Sequence, residues 1–130
     1  MRIAGLIVTL CLAQQAAAAQ EETLLLPSGL EARLLEVLTD RPGGGLTYRF
    51  RFVAEGFTGG EAALEMVMGD MDYLCQTYAV TRLPGIGPMP NRIVISLADR
   101  PSEFGVFDPE VTQVFEAYSV QDGVCIWEMF

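Results

Sequence analysis

Apolar and polar positions change period along the chain, and the changes mark out its elements. Thr23 to Leu26 is a short apolar run, closed by the turn residues Pro27-Ser28-Gly29. Leu30 to Leu38 alternates in part, Leu30, Ala32 and Leu34 against Glu31 and Arg33, and reads as a second strand. After the turn Asp40-Arg41-Pro42-Gly43-Gly44-Gly45 the alternation becomes strict. Leu46, Tyr48, Phe50 and Phe52 point one way, Thr47, Arg49 and Arg51 the other. Leu46 to Val53 is therefore predicted as a strand with an aromatic core face and a basic outer face.

From Glu61 the period lengthens. Leu64, Val67, Met71, Leu74 and Tyr78 recur at three- and four-residue steps, with Ala63 and Met68 beside them. That spacing predicts an amphipathic helix of about four to five turns. Pro84-Gly85-Ile86-Gly87-Pro88-Met89-Pro90 predicts a stiff loop, because proline lacks the backbone donor that a helix or central strand needs. Ile93 to Leu97 reads as a buried β-branched strand and Asp99 to Phe107 as irregular. Asp108-Pro109-Glu110 has a helix-capping residue before a proline, and the residues after it are open to either a short helix or a strand. Phe115 to Val120 and Val124 to Phe130 flank Gln121-Asp122-Gly123, and Asp-Gly between apolar runs signals a hairpin. The sum is an α+β fold: a small antiparallel sheet of about five to six strands on one main helix, in the order βββαβββ.

The N-terminus obeys a different logic. Met1-Arg2, the apolar run Ile3 to Ala13 and the small residues Ala16 to Ala19 have the layout of a secretory signal peptide. The run is shorter than the ~20 residues of a membrane-spanning helix. Residues 1–19 are thus expected to be removed, leaving 20–130 as one α+β domain without membrane insertion, periplasmic or secreted. Removal also takes away Cys11. Leu10 before it is too large for a lipoprotein signal, and the remaining pair is Cys75 and Cys125. In an oxidising compartment that pair is expected to form a disulfide.

Charge and missing residue types narrow the chemistry. The formal net charge is −9, and all eight basic residues are arginine. Such a balance repels phosphate backbones and anionic lipid, which argues against nucleic-acid and membrane-surface roles and suits a cationic partner. With no histidine there is no Ser-His or Cys-His pair, and with no lysine no Schiff base or phosphate-loop lysine. No catalytic residue and no cofactor is indicated. Asp70 and Asp72 sit two apart on the helix, face different ways and read as solvated surface. Asp99, Glu103 and Asp108 are weak metal candidates: oxygen-rich, but in no calcium-loop spacing. Arg49 and Arg51 read as partners of neighbouring strand acids before an anionic ligand. Ile126-Trp127-Glu128-Met129-Phe130 resembles the last strand of an outer-membrane barrel. Eight such strands of about 9–11 residues, with their turns and the predicted helix added, would exceed the chain left after cleavage.

Arg49-Phe50-Arg51-Phe52-Val53, Asp72-Tyr73-Leu74-Cys75, Ile95 to Pro101 with Glu103-Phe104-Gly105, Phe115 to Tyr118 and Asp122 to Glu128 together carry a resemblance. The chain resembles an uncharacterised family of short secreted proteins from marine-type (roseobacter-like) alphaproteobacteria, a domain of unknown function. Some members carry the label acetolactate synthase. That chemistry needs thiamine diphosphate held by Gly-Asp-Gly and paired asparagines, whereas this chain has only Asn91 and no Gly-Asp-Gly, so the label does not transfer. The expectation is a non-enzymatic binding or accessory domain whose partner is unknown, an envelope protein being one option. Its rivals are a small carboxylate-based hydrolase or calcium-dependent enzyme and a subunit of an envelope complex.

Overall fold

In this computed structural model residues 4–5 and 22–129 are described. The expected signal segment, Ala4 and Gly5 apart, lies outside them. Six strands form one sheet whose spatial order equals the chain order: β1 (Leu24–Leu25), β2 (Glu31–Asp40), β3 (Thr47–Val53), β4 (Arg92–Ala98), β5 (Gln113–Gln121) and β6 (Val124–Glu128). The helical segment lies between β3 and β4, so the order is βββαβββ with one main helix. Asp122 and Gly123 both adopt positive φ, 51° and 76°, as the tight β5–β6 hairpin turn requires.

One pairing departs from the antiparallel expectation. β3 and β4 run parallel, from Thr47↔Arg92 to Val53↔Ala98, while the other four pairings are antiparallel. The reason lies in the connection, which crosses from the end of β3 back to its beginning, as parallel neighbours demand.

That crossover is longer than periodicity indicated. α1 (Glu61–Tyr73) runs through a π-helical turn, Leu74–Ala79, into α2 (Val80–Ile86), and Pro84 lies inside α2 where a stiff loop was expected. Proline removes one donor, the amide that would meet the Val80 carbonyl, and the turn that spans it still closes: Gly87 N–H reaches the Leu83 carbonyl at 3.4 Å. Side chains meet carbonyls that the π turn loosens: Thr77 Oγ1 donates to the Tyr73 oxygen at 2.7 Å and Thr81 Oγ1 to that of Tyr78 at 2.9 Å. The stretch after Asp108 resolves the other way. Asp108 starts a turn, not a helix, accepting the Glu110 amide at 3.0 Å before β5 begins.

Alternation along β3 does set the core. Tyr48, Phe50 and Phe52 lie in register with Ile93, Ile95 and Leu97 of β4 and are buried against Val67, Met71, Leu74, Tyr78 and Leu83 of the helix. Tyr78 meets Phe50 and Phe52 edge-on, with centroids 6.4 and 5.3 Å away. Leu64 and Met66, by contrast, stay on the exposed side of the first turns.

The helix is also pinned by polar groups, which corrects the solvated reading for Asp70, whereas Asp72 is exposed as expected but bonded. Asp70 is fully buried and accepts the Ser28 amide at 2.9 Å and the Ser28 hydroxyl at 2.5 Å, tying the β1–β2 turn to the helix. Asp72, on the other flank, accepts the Tyr118 hydroxyl of β5 at 2.6 Å. Burial raises the Tyr118 phenol above its ordinary range, and the Asp72 carboxylate adds to the shift. The curled sheet brings strands to both flanks, so residues that face apart both find partners. Cys75 and Cys125 form the expected disulfide between helix and β6, with Cα atoms 6.3 Å apart. Spanning 50 residues, it stabilises the fold by about 4 kcal/mol in the chain-entropy account. Beside it Gln76 donates to the Gly123 carbonyl (2.8 Å) and accepts the Cys125 amide (2.9 Å), occupying part of the open sheet edge.

Asp70→Ala strands a buried amide and hydroxyl at Ser28. The expected cost is about 1–3 kcal/mol, read as a lowered urea midpoint with unchanged slope; an unaltered midpoint would show that the buried pair contributes nothing.

Candidate functional site

With the helix on one face, the residues that alternate with the core strand residues meet on the other: Arg49 and Arg51 of β3, Val94 and Ser96 of β4, Gln113 and Phe115 of β5. The β4–β5 connection, residues 99–112, is long for antiparallel neighbours, a length that accompanies function more often than simple linkage. Its base is closed by backbone and side chain together. Asp99 N–H donates to the Thr112 carbonyl at 3.0 Å, and the Thr112 amide donates back to Asp99 Oδ1 at 3.0 Å. That amide bond is the main reason the Asp99 carboxyl lies below its ordinary value, with Arg100 adding to the effect.

Beyond this base the loop turns back over the outer face. Arg51 donates through one terminal nitrogen to the Ser102 carbonyl at 3.0 Å and hydroxyl at 3.1 Å. The Arg49 and Arg51 guanidinium carbons lie 5.4 and 5.6 Å from the Phe104 ring centroid, so one aromatic ring covers two cations. Both cations are balanced within the sheet. Glu36 lies opposite Arg51 in register and pairs with it, and Asp40 pairs with Arg49 at 3.1 Å. The preference for strand acids read from the sequence is thus what the fold realises. Arg51 is 5% exposed, and its Nε has no hydrogen-bond partner among the described residues. A buried donor left open costs free energy until an acceptor reaches it.

Between loop and sheet lies a groove of about 600 Å³ with Arg49, Arg51 and Ser96 in its floor. Phe104, Phe107 and Phe115 line it, Phe107 at 89% exposure and Phe115 at 61%. The volume falls in the range of small-ligand sites, and exposed aromatics around a concave surface are a mark of binding.

The three metal candidates separate. Glu103 and Asp108 border this groove, but Asp99 is engaged by Thr112 and Arg100 at the loop base. Among the described residues no three acidic or cysteine side chains stand close enough to share a metal ion. Phe104 and Phe107 escaped sequence reasoning because their stretch lacks strand or helix period, while Phe115 lies on the expected strand. The trace they left is Phe104-Gly105-Val106-Phe107, an apolar run inside an otherwise polar connection. Gly105 takes positive φ, 79°, where that run bends.

The loop base should respond to acid in one direction. Because the folded carboxyl of Asp99 is depressed, its contribution is present above the unfolded value of 3.8 and is lost as pH falls through the lower folded value. Hydrogen exchange at the Thr112 amide should be slow at neutral pH and fast in Asp99→Ala; equal protection in both proteins would exclude this role.

A family model described as a family of unknown function (DUF6497) matches residues 8–130. No curated protein and no solved structure matches the chain.

Proposed function

The chain belongs to the DUF6497 family of unknown function, and from that premise we propose that it is a non-enzymatic binding domain acting outside the cytoplasm, with the groove under residues 99–112 as its binding site. The observation that carries the reading is the set of solvent-facing phenylalanines around a concave surface, with Phe107 almost wholly exposed. Exposed rings of this kind lower the free energy of an apolar partner that covers them, by roughly 25 cal/mol per Å² removed from water.

Two further observations support the setting. The Cys75–Cys125 disulfide suits an oxidising compartment, periplasmic or secreted, and among the described residues no helix is long and apolar enough to cross a membrane. The carboxylate hydrolase built on Asp99, Glu103 and Asp108 loses its first member to the loop base, where Thr112 and Arg100 occupy it.

Protein recovered from the cell envelope should carry no free thiol at Cys75 or Cys125 when alkylated and weighed, and reactive thiols there would exclude this setting. The groove is tested with the neutral dye Nile red. Its fluorescence should rise on binding, and Phe107→Asp should weaken binding roughly tenfold. Equal affinity in the variant would exclude the groove, and hydrolytic turnover abolished by Glu103→Gln would exclude the non-enzymatic reading.

A further inference from the structure

Charge at the groove is divided unevenly between floor and mouth. In the floor Arg49 and Arg51 are already paired with Asp40 and Glu36, which leaves little field for an anionic ligand. At the mouth Glu103 and Asp108 have no cationic partner among the described residues; the nearby Arg100 pairs with Asp99 at 3.3 Å and approaches Glu110 at 3.8 Å. The formal charge of −9 adds a long-range field that concentrates cations. Three features therefore ask for three groups on one occupant: an apolar side chain among the phenylalanines, a cation beside Glu103 and Asp108, and an acceptor for the unpaired Arg51 Nε.

We propose that the groove receives an extended segment of a partner protein in which an aromatic or large aliphatic side chain stands next to lysine or arginine. A polypeptide supplies all three groups at adjacent positions, its backbone carbonyl being the acceptor that an amine or a simple cation lacks. Phe104, which packs on both guanidinium groups, shifts as the carbonyl reaches Arg51. The partner's cation meets the carboxylates at the rim, where pairing sets selectivity and association rate more than total affinity. The proposal rests on the groove being the binding site and adds the chemistry of what enters it.

Three capped tripeptides, Lys-Phe-Lys, Ser-Phe-Ser and Glu-Phe-Glu, together with free phenethylammonium, test it by amide NMR titration of the oxidised full chain. The lysine peptide should shift amides at residues 102–111 and 115. It should bind about fivefold more tightly than the serine peptide, with the preference lost at high salt. In the double variant Glu103→Gln, Asp108→Asn the lysine and serine peptides should bind alike. These replacements keep side-chain size, and the new amide still accepts the Glu110 N–H. Equal binding of all three peptides in the wild-type groove would overturn the cationic partner and leave the groove as the site. Phenethylammonium binding as tightly as the lysine peptide would overturn the polypeptide. If no probe shifts the groove while Nile red still binds there, the partner chemistry is wrong; if Nile red fails as well, the site is wrong.

Discussion

β3 and β4 are parallel neighbours, so the chain between them must climb back along the sheet, and burying that crossover orders the rest of the molecule. The helical segment presents Val67, Met71, Leu74, Tyr78 and Leu83 to the aromatic face of β3 and the aliphatic face of β4. Apolar burial drives the contact but does not fix its angle. Direction comes from three anchors on two flanks: Asp70 to Ser28 on one, Asp72 to Tyr118 and Cys75 to Cys125 on the other. Each joins the helix to a different part of the sheet, so rotation or sliding of the helix would break at least one buried polar or covalent link.

One consequence is that, among the described residues, the other sheet face receives no helix. Its central residues include two arginines, whose burial against bare strands would be costly without partners. The chain meets that cost from two directions. Glu36 and Asp40 on β2 neutralise the guanidinium groups, while Ser102 and Phe104 from the β4–β5 loop supply hydrogen bonds and a ring face. The cover is incomplete. Among the described residues it leaves Arg51 Nε open and three phenylalanine rings around a concave surface. Binding capacity at this site thus arises from how one buried and one partly buried cation were accommodated, and the carboxylates of the same loop give its mouth a sign.

How much of this was legible in the chain depends on the range of each interaction. Strict alternation in Leu46 to Val53 identified the core and outer faces of β3, and Asp122-Gly123 identified the hairpin, because both depend on residues adjacent in the chain. The pair Cys75 and Cys125 came from cysteine count and compartment. Pro84 misled because proline removes a single backbone donor, a loss that a helical turn held in the core through Leu83 absorbs. Asp70 misled because an acid on an isolated helix looks like surface, whereas the curled sheet buries it against Ser28; Asp72 stays exposed and gains Tyr118 as a partner.

Local pattern by itself therefore determined most of the elements, the aromatic core face, the arginine-bearing outer face and the disulfide, since each arises from backbone period, turn chemistry or redox setting. Tertiary structure decided the parallel pairing, the partners of Asp70, Asp72, Arg49 and Arg51, and the groove. Those depend on residues about 10 to 50 positions apart meeting across a curled sheet. No periodicity encodes such meetings. For that reason the aromatic loop at Phe104 and Phe107 is irregular in sequence and becomes a binding surface only when laid over Arg49 and Arg51.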